Sequence, residues 1–138
     1  MLGTLFGSFL KKRQRKTFLL QLYNEISSNL ERYYVIDQRQ FITMDFEMGA
    51  WEETRHLSGL KLPPEVVDYA FALDDFNRAF ADCRAFEKTY NGDLDKKNLE
   101  NAQVLHAKKE ALDEKFRSIQ PRIMAAQQAL RAVMEKKT

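Results

Sequence analysis

Two histidines are the first candidates for chemistry, because each has a carboxylate four residues away: Glu52 before His56 and Glu110 after His106. On a helix that spacing puts both side chains on one face. Four such groups could hold a metal ion if the two pairs met. In an antiparallel bundle of this chain, however, the pairs fall roughly 20 Å apart at 1.5 Å per residue. The same spacing also suits solvated surface pairs, so no metal site is expected. Asp74–Asp75 and Glu52–Glu53 are adjacent carboxylates. On a helix neighbours diverge and cannot share a substrate or a proton. There is no glycine-rich phosphate loop, nucleophile elbow or CxxC motif. Cys83 is the single cysteine, which excludes an intramolecular disulfide and a thiolate cluster. It reads as a small buried hydrophobe in a reducing compartment. No catalytic residue, cofactor or enzymatic activity is expected.

The sharpest functional signal is at the N-terminus. Leu2, Leu5, Phe6, Phe9 and Leu10 recur at helical spacing, and Lys11, Lys12, Arg13, Arg15 and Lys16 follow at once. The apolar run is far shorter than the roughly 20 residues of a transmembrane helix. It also precedes the basic cluster, the reverse of a secretory signal. An apolar helical segment beside a polybasic tract supplies two membrane-binding signals that act together. The competing reading is that the apolar residues plug a groove in a protein partner. The rest of the chain carries 17 basic and 20 acidic residues, a poor electrostatic match for nucleic acid.

The elements that must position these groups are helices. Apolar residues make up 44% and charged residues 30% of 138, so the chain is neither disordered nor membrane-embedded. It is long enough to build a core unaided. Five glycines and three prolines are too few for the many turns of a β-rich fold. One apolar stripe comprises Leu19, Leu22, Tyr23, Ile26, Leu30 and Tyr33. Val66, Tyr69, Leu73, Phe76, Phe80, Cys83 and Tyr90 form a heptad seam interrupted at Glu87, with Phe71 and Phe86 off it. Leu105, Leu112, Phe116, Ile119, Ile123, Ala126, Leu130 and Val133 form a third, whose phase runs on through Pro121, so that proline reads as a kink. Pro63–Pro64 and Asn91–Gly92–Asp93 mark connections.

Residues 34–51 fit two patterns. Phe41, Met44, Met48 and Trp51 share a helical face, whereas Ile42, Met44, Phe46 and Met48 alternate with Thr43, Asp45 and Glu47 as in a strand. A lone strand has nowhere to satisfy its backbone, so helix is favoured. The expectation is an all-α antiparallel bundle of three long helices, 17–57, 65–91 and 94–136, with coiled-coil-like packing. Residues 1–16 form a separate amphipathic and polybasic segment ahead of a 17–138 bundle domain. Four helices result if the first breaks near Asp37, between Tyr34 and Gln38.

Asp37 is the charged residue on the first stripe between Leu30 and Met48. Counting rise along three antiparallel helices places it level with Arg84, Asn98 and Asn101. The pattern predicts a buried polar layer of these four residues that fixes helix register. Asp37→Ala would then cost on the order of 3 kcal/mol by stranding Arg84.

The function expected from these features is a non-enzymatic helical adaptor, peripherally attached to an anionic membrane surface at its cytoplasmic face. Leu2, Leu5, Phe6, Phe9, Leu10, Lys11, Lys12, Arg13, Arg15 and Lys16 are the expected membrane or partner contacts. The alternatives are a soluble homo-oligomeric scaffold and a small-molecule sensor with an apolar pocket between helices, since aromatic stripes can line a pocket as well as a core.

Overall fold

The first helix stops at Arg39, and that break organises the rest of the molecule. In a computed structural model, which describes residues 12–57, 59–92 and 98–136, the chain forms four helices. They are α1 (Lys12–Arg39), α2 (Gly49–Thr54), α3 (Pro64–Gly92) and α4 (Asn98–Glu135). The described residues contain no strand, so the all-α bundle expected from the apolar stripes is what forms. The single first helix over 17–57 does not form. The alternative, four helices with a break near Asp37, does, although the break falls at Gln40, just beyond the expected Tyr34–Gln38.

The stop is marked by the backbone of a single residue. Gln40 takes a left-handed conformation, φ 62°, and its N–H donates to the Ile36 carbonyl at 3.0 Å. This is the helix C-terminal motif in which one left-handed residue satisfies a carbonyl of the last turn. From there residues 41–48 run back along α1 as a strap with neither helix nor strand pairing. Its side chains alternate: Ile42, Met44, Phe46 and Met48 turn inward, and Phe41, Thr43, Asp45 and Glu47 outward. The strand-like pattern was therefore the true one.

Cross-helix contacts fix the directions. Tyr33 stacks on Phe116 at 4.4 Å, Gln127 donates to Ser27, and Arg131 donates to Tyr23. Thus α1 runs antiparallel to α4. Ion pairs Arg122–Asp68, Lys115–Asp75 and Lys108–Asp82, each 2.6 Å, make α3 antiparallel to α4 as well. It follows that α1 and α3 run parallel, with the strap lying between them. The first stripe, Leu19–Leu30, packs against the end of the third, Ile123–Val133.

The core is continuous. Leu22, Ile26, Val66, Tyr69, Leu73, Phe76, Ile123, Ala126 and Leu130 are fully buried. Nearly all come from the three expected seams. Cys83 is a buried free thiol, as expected. Pro121 sits inside an unbroken α4 and starts no new element. The expected start of the last helix at residue 94, and Asp93 before it, lie outside the described residues.

Candidate functional site

A carboxylate, two amides and a phenol form the polar centre of the bundle. Asn29 on α1 is fully buried. Its Nδ2 donates to the Glu47 carbonyl and to the Tyr69 hydroxyl, both at 2.8 Å, and its Oδ1 accepts from the Glu47 N–H at 2.9 Å. Asn77 on α3 does the same for Phe46, accepting from its N–H at 2.9 Å and donating to its carbonyl at 3.0 Å. Arg32 donates to the Asp45 carbonyl and pairs with the Glu47 carboxylate. The strap's backbone is thus paired with side-chain amides where a sheet would offer a neighbouring strand.

Glu25 completes the arrangement. Its two carboxylate oxygens accept from the Ala50 and Trp51 N–H groups at 2.8 and 3.1 Å. These are free donors at the start of α2, whose own N-cap, Met48, offers no side-chain bond. Burial raises the Glu25 pKa above its usual value, although the two backbone donors pull the other way. Burial also pushes the Tyr69 hydroxyl well up, so it stays neutral.

The expected polar layer is not there. Asp37 and Arg84 are both exposed, and no ion pair joins them among the described residues. Arg84 instead lies over the Phe80 ring, 5.5 Å from its centroid. Asn101 is half-buried, and the Asn98 side chain lies outside the described residues. The count that placed them level assumed α1 antiparallel to α3, and these helices run parallel. The buried polar residues of α1 are Asn29, two turns earlier, and Glu25. The signal for Asn29 was in the sequence: an asparagine one residue short of Leu30 in an apolar stripe, with Asn77 beside Phe76 in the next.

The basic segment is divided by what the structure describes. Leu2, Leu5, Phe6, Phe9, Leu10 and Lys11 lie outside the described residues. Lys12, Arg13, Arg15 and Lys16 form the opening of α1, whose first turn holds no acid. Arg13 and Lys16 are exposed, and Arg15 is half-buried with its Nε unpaired. No helix among the described residues is long and apolar enough to cross a membrane.

The histidines stay apart. His106 pairs with Glu110 at 2.9 Å on an exposed face of α4, and His56 is exposed beyond α2. No group of three potential metal ligands occurs among the described residues.

At the far end of the bundle, α3 and α4 continue past the end of α1. A cavity of about 410 Å³ opens there between the start of the strap and the two helices. Ile42, Phe80, Cys83 and Leu112 form its wall, with Arg84 and Glu87 at the rim. A second space of about 630 Å³ adjoins it, bordered by Asp37, Asp113 and Arg117. Burial raises the Cys83 thiol pKa, and the nearby Glu87 adds to this, so the thiol is no activated nucleophile. No protein-family model matches the chain, and no curated protein sequence or solved structure is significantly similar to it.

Proposed function

We propose that this chain is a non-enzymatic helical adaptor that attaches to an anionic membrane surface, on the cytoplasmic side, through residues 1–16. One observation carries the reading. Lys12, Arg13, Arg15 and Lys16 crowd four cations into five residues at the described opening of α1, with no acid beside them, and Arg13 and Lys16 are exposed. That arrangement is self-repelling in water and is relieved against a layer of negative charge. The apolar decad MLGTLFGSFL precedes these cations directly, which supplies the second signal that stable peripheral attachment needs. The alternative, a soluble scaffold of identical subunits, draws on the exposed Phe41, Phe71 and Leu99.

Flotation with vesicles tests the proposal. The full chain is expected to float with phosphatidylserine-containing vesicles and to stay in solution with neutral ones. Each basic residue near such a surface contributes about 1 kcal/mol. Replacing Lys12, Arg13, Arg15 and Lys16 by serine should therefore lower partitioning by two to three orders of magnitude, on the order of 4 kcal/mol. Equal behaviour of the parent and a chain lacking residues 1–16 would overturn it. If that shortened chain remained oligomeric by light scattering, the scaffold reading would stand in its place.

A further inference from the structure

We infer that the cavity at the end of α1 is a binding site for a small amphipathic anion, a molecule with a hydrocarbon body and a single carboxylate or sulfonate. The cavity exists because Gln40 turns the chain out of the helix. Had α1 continued, its next turns would have filled the slot against the α3–α4 seam. The strap leaves that track, and Phe80, Cys83 and Leu112 face the space it vacates. A volume of about 410 Å³ falls within the range of small-molecule pockets.

Charge sets the class of ligand. Glu87 at the rim is paired with Lys109 at 3.0 Å, and Asp113 with Arg117 at 2.6 Å. Arg84 has no carboxylate partner among the described residues. Its guanidinium rests over the Phe80 ring, at the boundary between the apolar wall and solvent. A planar cation held on an aromatic face, with its edge free, suits bidentate pairing with a carboxylate. Asp113 borders both spaces but is compensated by Arg117, whereas Asp37 lines the neighbouring space alone, so an anionic head is disfavoured on that side and the ligand turns towards Arg84. Its head meets Arg84, and its tail lies along Phe80, Cys83 and Leu112 towards Ile42.

Dodecanoate, below its micellar concentration, is the probe. Titrated into the full ¹⁵N-labelled chain, it is expected to shift the backbone amides of residues 40–43, 83–87 and 109–113 together. Arg84→Gln should raise the dissociation constant about tenfold, and Arg84→Lys by less, since a point charge replaces a fork. Dodecanol, with the same tail and no charge, should bind the parent about as weakly as dodecanoate binds Arg84→Gln. Arg84 is exposed, so these variants keep their fold. The inference is overturned by shifts confined to residues 11–16, which would report the basic tract alone. It is also overturned by no shift at the cavity, or by equal affinity of dodecanoate for the parent and Arg84→Gln. Serine replacements at Lys12, Arg13, Arg15 and Lys16 should leave the cavity shifts unchanged, which separates this site from membrane attachment.

Discussion

Asn29 is itself fully buried, with both its Nδ2 and its Oδ1 engaged, to the Glu47 backbone and to the buried Tyr69 hydroxyl. Replacing it with leucine, similar in volume, leaves the Glu47 N–H and carbonyl and the Tyr69 hydroxyl without their partner. Each stranded group costs roughly 1–3 kcal/mol, so Asn29→Leu should destabilise by on the order of 3 kcal/mol in urea unfolding. The exposed Asp37, by contrast, should tolerate alanine within about 0.5 kcal/mol. Glu25 adds a pH dependence of definite sign. Because burial raises its pKa in the folded state, its contribution is complete below the unfolded value of about 4.5 and declines as pH rises through the folded value. The stability difference between the parent and Glu25→Gln, measured by urea unfolding from below pH 4.5 to neutrality, should therefore move steadily against the parent. A constant difference would show that the two backbone donors fully offset the burial. Residue identity was easy to read where burial is apolar: Leu22, Ile26, Leu73 and Ile123 follow from spacing alone. Asn29 and Glu25 were harder, because most of their partners are backbone groups, Glu47 in the strap for Asn29 and the first turn of α2 for Glu25, and the spacing of side chains says nothing about those.

The strap is an element in its own right, and Gln40 is its hinge. A non-glycine residue in the left-handed region costs up to roughly 1–2 kcal/mol, and glycine is the usual occupant of this helix-ending position. Gln40→Gly should thus raise stability by up to about 1 kcal/mol, after the greater unfolded-state freedom of glycine is subtracted. A lower melting temperature for that variant would mean that the glutamine side chain contributes more than its backbone costs. The helix start at Pro64 was legible because proline announces it. The end of α1 has neither proline nor glycine. Its stop depends on a tertiary arrangement, amides from α1 and α3 converging on Phe46 and Glu47, which compensates the extended backbone. The period-two alternation at Ile42–Met48 did encode the strap. It was outweighed by the argument that a lone strand has no partner, and Asn29 and Asn77 answer that argument.

Across the whole molecule, α3 and α4 are held in register by an exposed ladder with heptad spacing: Asp68, Asp75 and Asp82 face Arg122, Lys115 and Lys108. Surface pairs contribute at most about 1 kcal/mol each. Changing all three aspartates to lysine should therefore cost about 2–3 kcal/mol at low salt, less in 1 M NaCl, and reversing the opposite three charges should restore the loss. Failure of the second set to rescue the first would show that the ladder has no part in register. The three apolar seams specified a bundle, but not that α1 and α3 lie parallel, since direction depends on a break the seams do not contain. That topology has a temporal consequence. Ser27 and Tyr23 meet Gln127 and Arg131, partners 100 and 108 residues downstream. Only five residues separate α3 from α4 in the sequence, whereas α1 is made before its partner α4 by most of the chain. On the ribosome the part of its apolar stripe that meets α4 stays uncovered until α4 has emerged, an interval in which a chaperone or a lipid surface competes with the unmade helix for the same face.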